Sequence, residues 1–122
     1  MIYSSFKNKL LNSVEKLGGI NFVSTQMNTD AATLKNLAFE LAKDVDNLFF
    51  VAGSEFDGKA LLTLYVSKNL VEEKGFNAGS IIRDLGKHIQ GGGGGQPFFA
   101  TAGGKNPQGI AKALDSARKF LD

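Results

Sequence analysis

Apolar positions recur at two different periods along these 122 residues, and the switches between the periods set the order of elements. From Ile2 to Leu17, the residues Tyr3, Phe6, Leu10, Val14 and Leu17 lie three or four apart, which predicts a helix with one apolar stripe. Gly18-Gly19 stops it. Ile20 to Met27 reads as a strand, and Thr29 or Asp30 caps a second helix with Leu34, Leu37, Ala38, Leu41 and Val45 on one face. Leu48 to Gly53 is a continuous apolar run, as in a strand buried on both faces. Asp57-Gly58 marks a tight hairpin, with Ala60 to Ser67 as the returning strand and a loop through Gly75 after it. Asn77 caps a third helix with Ala78, Ile82, Leu85 and Ile89 inward. Phe98 to Gly103 predicts a last strand, and Asn106-Pro107 opens a closing helix carrying Ile110, Ala113, Leu114, Ala117 and Leu121.

The order is thus a helix followed by β-α-β-β-α-β-α. It predicts an α/β (α+β) fold, a mixed sheet of about four strands packed by helices. Two crossovers favour parallel pairing and the hairpin adds an antiparallel pair.

Between the third helix and the last strand stands GGGGGQPFFATAGGK, residues 91–105. Each glycine costs roughly 0.5–1 kcal/mol relative to alanine inside regular structure. Five in a row therefore predict a loop that needs bare backbone, either for left-handed φ or for close approach of a partner. Its unobstructed N–H groups would seat phosphate. A flexible linker fits less well, because the run passes directly into Phe98-Phe99-Ala100 and a second glycine pair. On this reading, valine at Gly93 or at Gly94 weakens binding and spares the fold. Two familiar phosphate loops are excluded by spacing. A P-loop requires glycine at position 99 and a hydroxyl at 106, where Phe99 and Asn106 stand. The dinucleotide fingerprint that starts at Gly91 and Gly93 requires glycine at 96, which is Gln96.

Charge sharpens this picture. The net charge is +2, but residues 18–76 carry −3 and residues 77–119 carry +4, from Arg83, Lys87, Lys105, Lys112, Arg118 and Lys119 against two aspartates. Positive charge gathers around the glycines, as docking of a polyanion requires. Chemistry is harder to find. There is no cysteine, so thiol catalysis, disulfides and Cys-based zinc sites are excluded. His88 is the lone histidine; it can reach a phosphate or cap the end of its helix, and it cannot build a His-based metal cluster. Asp44, Asp46, Glu72 and Glu73 read as solvated faces, and Ser24, Ser54, Ser67 and Thr101 have no recognisable base partner. No apolar run approaches a membrane span and no signal-peptide pattern opens the chain. The residues describe a binding module without catalytic machinery of its own.

The glycine-rich stretch, together with Gly19-Ile20, Asp57-Gly58-Lys59, Val66-Ser67-Lys68-Asn69-Leu70 and Asn77-Ala78-Gly79, resembles the carboxy-terminal domain of alanyl-tRNA synthetase, within the DHH-associated domain superfamily. The likeness covers about residues 18–121. It implies a globular glycine-rich tRNA-binding domain at 18–122 and the end of a connecting helical segment at 1–17. It also implies an accessory role: binding tRNA at its outer corner and assisting aminoacylation and editing of alanine tRNA, in the cytoplasm. The chain would then be a piece of a longer alanine–tRNA ligase, with ATP, magnesium and zinc used only by the rest of the parent and no cofactor here. The implied partners are tRNA, the remaining domains of the parent and, through residues 2–17, a weak homodimer; no membrane is implied. The same domain in a free-standing alanyl-tRNA editing deacylase, or as the substrate-binding domain of a DHH phosphoesterase, is the alternative. A phosphoesterase would place a histidine directly after the glycines, where Gln96 stands. Candidate tRNA contacts are Gly91, Gly92, Gly93, Gly94, Gly95, Gln96, Thr101, Gly103, Gly104, Lys105, Arg83, Lys87 and His88. Gln96 replaces a basic residue common in the family and Phe98 an aspartate, so Lys105 would supply some of the missing charge.

Overall fold

The computed structural model describes residues 8–121. Residues 8–11 are helical, and then follow β1 (Glu15–Leu17), β2 (Ile20–Met27), α1 (Ala31–Asp44), β3 (Leu48–Phe56), β4 (Lys59–Val66), α2 (Lys68–Lys74) and α3 (Ala78–Gly86). After a 3-10 turn at Lys87–Ile89 come β5 (Gly91–Gly95) and β6 (Phe99–Gly104), and a second such turn at Pro107–Gly109 leads into α4 (Ile110–Lys119). The strands form one sheet in the order β1-β2-β3-β4-β6-β5. The mixed α+β class read from the sequence is the one observed, with six strands where four were expected.

β3 and β4 are buried along almost their whole length, so both faces of the sheet centre must be covered. On one face lies α1, whose Leu34, Leu37, Ala38 and Leu41 are fully buried against Val23, Phe50 and Ala52. On the other lie α3 and α4, whose Ile82, Leu85, Ile110 and Ala113 pack on Phe49, Val51, Leu62 and Leu64. The crossover through α1 makes β2 and β3 parallel neighbours, and every other pairing is antiparallel. The second crossover departs from expectation. It returns β5 parallel in direction to β4, but β6 is inserted between them. The hairpin is as read: Asp57 and Gly58 take φ of 55° and 75°, the left-handed pair of a primed turn.

Three local readings are corrected. The first helix does not run to Leu17; residues 15–17 turn back across Gly18-Gly19 and pair with β2, from Glu15 opposite Phe22 to Leu17 opposite Ile20. Gly18 and Gly19 make the turn with left-handed φ of 57° and 84°, and Arg118 of α4 grips the Glu15 carboxylate through both terminal nitrogens, at 3.0 and 2.8 Å. Of the apolar stripe, Leu10 is buried against the α1 layer, Val14 packs beside it, and Tyr3 and Phe6 lie outside the described residues. The loop after β4 contains α2, anchored by buried Leu70 and ended by Gly75 at φ 73°. The glycine run, finally, is an edge strand and not a loop.

Asp30, not Thr29, caps α1. The Thr33 amide donates to Asp30 Oδ1 at 3.0 Å, while Thr29 is held elsewhere. Its amide donates to the buried Ser54 hydroxyl at 2.7 Å, and that hydroxyl donates to the Thr29 carbonyl at 2.6 Å. One side chain of β3 thus satisfies both backbone groups of the β2–α1 turn. Ser54→Ala should therefore cost about 1–3 kcal/mol and lower Tm by several degrees; an unchanged Tm would show that the turn is not held this way. Asp30 gives a pH test. Its hydrogen bonds from Thr33 hold its pKa below the ordinary 3.8, so its contribution is present above that value and is lost as pH falls through the lower folded one. The Tm advantage of the parent over Asp30→Asn should shrink on acidification below about pH 4. A gap independent of pH would refute the capping argument.

Candidate nucleic-acid interface

The five glycines of β5 have two physical roles, alternating along the strand. At positions 91, 93 and 95 a side chain would run into the backbone of β6, at the carbonyl oxygens of Gly103, Thr101 and Phe99 respectively. From the helix side, a Cβ at Gly79 would stand 3.0 Å from the Gly95 oxygen, and one at Gly86 would stand 3.3 Å from the Gly91 oxygen. The α3 backbone therefore rests on β5 with bare positions on both elements. These glycines are a packing device.

Gly92 and Gly94 differ. Among the described residues, a Cβ at Gly92 would meet nothing within 4 Å, and one at Gly94 only the Arg83 Nε at 4.0 Å. Neither residue has left-handed φ. Register places both on the sheet face that α1 covers elsewhere: one row runs Ala52, Thr63, Thr101, Gly94 and the next Ser54, Leu61, Gly103, Gly92. A Cβ at Gly103 would likewise find only Leu61 Cδ2 at 4.0 Å. Thr101, Gly103 and Gly92 are exposed, so the face lies open from β4 outward. Its floor is backbone, one threonine and the half-buried Leu61. Thr63, at the border of the covered half, is buried with its hydroxyl lacking a hydrogen-bond partner.

The structure gathers part of the sequence-predicted set on this face: Gly92, Gly94, Thr101 and Gly103, with Arg83 beside Gly94. Lys105 stands at one end, where a shallow hollow is lined by Lys59, Leu61, Gly103, Gly104 and Lys105. Gly91, Gly93, Gly95 and Gly104 serve packing; a Cβ at Gly104 would strike the Ile89 backbone. Gln96 is exposed at the β5–β6 turn, its amide donating to the Phe99 carbonyl at 2.8 Å. Lys87 is exposed, with Asp84 3.7 Å away. His88 is turned toward α4, its Nε2 3.0 Å from the Ser116 hydroxyl, and is not on the open face.

Sequence reasoning missed Lys35, Phe39, Tyr65 and Lys59. Phe39 packs its ring on Tyr65 (5.5 Å between centroids) and Phe99 (5.4 Å), and Lys35 Nζ lies 5.9 Å from the Phe99 ring. Burial pushes the Tyr65 phenol above its ordinary pKa, so the ring stays neutral. Phe39 carried a signal: it is a phenylalanine off the Leu34-Leu37-Ala38-Leu41 stripe. Among the described residues no group of three or more His, Cys, Asp or Glu could hold a metal, and no helix is long and apolar enough to cross a membrane.

Gly93 and Gly94 are thus not equivalent, contrary to the reading of the run as one loop. Gly93→Ala should lower Tm strongly, because its Cβ would lie 2.6 Å from the Ala102 Cα; Gly92→Ala should be neutral or raise stability by up to about 1 kcal/mol. Equal effects of the two substitutions on Tm would contradict the alternation.

A family model for the DHHA1 domain matches residues 19–122. The alanine–tRNA ligase of Christiangramia forsetii is 55% identical over 117 residues, covering 96% of this chain and 13% of that protein. The alanine–tRNA ligase of Bacteroides fragilis is 44% identical over 113 residues, covering 92% and 13%. The chain therefore spans about an eighth of the length of these relatives. The crystal structure of the C-Ala domain of Aquifex aeolicus alanyl-tRNA synthetase superposes with a TM-score of 0.78 at 28% identity, covering 88% of this chain and 96% of that one. A DHH-domain protein of the s1p family of ribosomal proteins shares the fold, with a TM-score of 0.57 at 11% identity over 97% of this chain and 30% of its own. The likeness to the carboxy-terminal domain of alanyl-tRNA synthetase read from the sequence holds, and the chain belongs to the DHHA1 domain family.

Proposed function

We propose that this chain is the accessory tRNA-binding domain of an alanine–tRNA ligase, and that its open glycine face is the surface that meets tRNA. The observation that carries the reading is the bareness of Gly92, Gly94 and Gly103, where side chains would fit and the backbone is not left-handed. Glycine there weakens a strand and returns nothing to the fold, whereas it lets a bulky polyanion approach the backbone. Arg83 beside Gly94, and Lys59 and Lys105 at the end of the face, supply charge for phosphates.

In this reading the domain holds tRNA at its outer corner and supports aminoacylation and editing carried out by the rest of a cytoplasmic parent. ATP and metals are used there, and this domain performs no chemistry. A bare backbone with a few basic side chains reads shape and phosphate, so different elongator tRNAs should compete almost equally. The similarity to alanine–tRNA ligases, with Gln96 instead of histidine after the glycines, favours this reading over a phosphoesterase.

Titration with tRNA at several salt concentrations tests it. Contact with about three to five phosphates should give a slope of log K against log[salt] of roughly −2 to −4. No binding at low salt, or binding insensitive to salt, would defeat the proposal.

A further inference from the structure

The open half of the sheet is bordered on its α1 side by an aromatic rim. Phe39 is 37% exposed, although the neighbouring residues Leu37, Ala38 and Leu41 of the same helix are fully buried. Its ring sits over the row Phe50, Tyr65, Phe99, and the next row begins the open floor at Thr101 and Gly94. Rim and floor are therefore adjacent on one surface. Lys35 stands over Phe99, Arg83 beside Gly94, and Lys59 and Lys105 at the far end. None of these four has an ion-pair partner among the described residues. Glu55 shares a second hollow with Lys105.

We propose that the Phe39–Phe99 rim stacks an exposed base of the bound RNA while the glycine floor passes its sugar–phosphate chain. The inference rests on the reading of this face as a tRNA interface and adds how it grips. Three features point to a base. A phosphate-only site has no use for a solvent-facing phenylalanine beside a lysine, whereas aromatic platforms flanked by basic groups hold unpaired bases whatever their sequence. A flat floor of Gly92, Gly94 and Gly103 offers no separate pockets for the alternating side chains of a peptide strand, which disfavours an acidic peptide as occupant. The four cations spread from the rim along the floor to its far end match a polyanion.

The experiment uses the chain itself with unmodified tRNA transcript as probe. The sequence has no tryptophan, so Phe39→Trp introduces a single reporter ring at the rim. Its emission should be quenched on adding tRNA, at the affinity measured independently by filter binding. Phe39→Ala and Phe39→Leu should each weaken tRNA roughly ten-fold with the salt slope unchanged, since no phosphate contact is removed. Lys105→Gln should instead reduce that slope by about one. Leucine keeps the apolar packing on Tyr65, so the inference can be judged even where alanine loosens the fold. If the parent binds tRNA but both variants bind as tightly as it does, or the tryptophan emission does not change at saturation, base stacking is overturned and phosphate docking survives. If the parent itself fails to bind tRNA at low salt, both readings fall together.

Discussion

The outer half of the sheet depends on how closely the α3 backbone approaches β5. A helix packed on a sheet is normally held off by side chains on both elements. Here Gly79 and Gly86 on the helix face Gly95 and Gly91 on the strand, and a methyl group on either helix glycine would press on a strand carbonyl at 3.0 or 3.3 Å. The approach buries Ile82, Leu85 and Ile89 fully beneath the sheet. Gly104 and Gly109 extend the same tight packing to the 3-10 turn at 87–89, where their Cβ positions would collide with Ile89 and His88 backbone atoms. Bare backbone is the condition for this layer, and a glycine-rich sequence follows from geometry before any ligand is considered.

Packing accounts for only half of the run. Glycine has weak β-propensity, and a strand of five is costly in conformational entropy. The return at positions 91, 93 and 95 is the α3 and β6 contact. At 92 and 94 there is no such return among the described residues, and the face they occupy is the one that α1 leaves open. The separation of the two roles follows from the two-residue period of a strand, which sends consecutive positions to opposite faces. A single sequence feature therefore packs tightly on β6 with its odd members and leaves its even ones room for a side chain.

How much of this was legible in the sequence depended on the range of the interaction concerned. Periodicity located α1, α3 and α4 and the strands β2, β3, β4 and β6, because each must bury an apolar face or stripe whatever its neighbours do. The Asp57-Gly58 turn and the Asn77 cap were legible because they are satisfied within a few residues; the Ser80 amide donates to Asn77 Oδ1 at 3.1 Å. What failed was non-local. Glu15 to Leu17 has helical spacing, but it pairs with β2 across the left-handed Gly18-Gly19 turn, and the Arg118 that grips Glu15 lies 103 residues away. Five glycines carry no pattern at all, so nothing in them distinguishes a loop from a strand whose partner lies across the Gln96 turn. The same ignorance of partners hid the rim, since Phe39, Tyr65 and Phe99 come from three elements and meet only after the sheet has formed.

The asymmetry of cover explains why the surface lies where it does. On the α3–α4 face, the helices reach the edge strand, with Gly79 and Gly86 of α3 set against the Gly95 and Gly91 carbonyls. On the other face α1 is tied to the inner strands at both ends, through the Asn21 and Asn47 contact at its exit and through Ser54 and Thr29 at its entry. A single 14-residue helix, about 21 Å long, cannot extend from there across β6 and β5 as well. The uncovered rows are consequently those farthest from the parallel β2–β3 pair, and they must carry residues that tolerate water without large apolar side chains. Thr101, Gly103, Gly92 and Gly94 meet that requirement. Solubility alone would be met as well by lysine or glutamate, which also protect an edge strand from pairing with other chains. Glycine leaves the edge unprotected by side chains, so the surface is better suited to contact than to isolation, and the basic residues around it bias that contact toward anions.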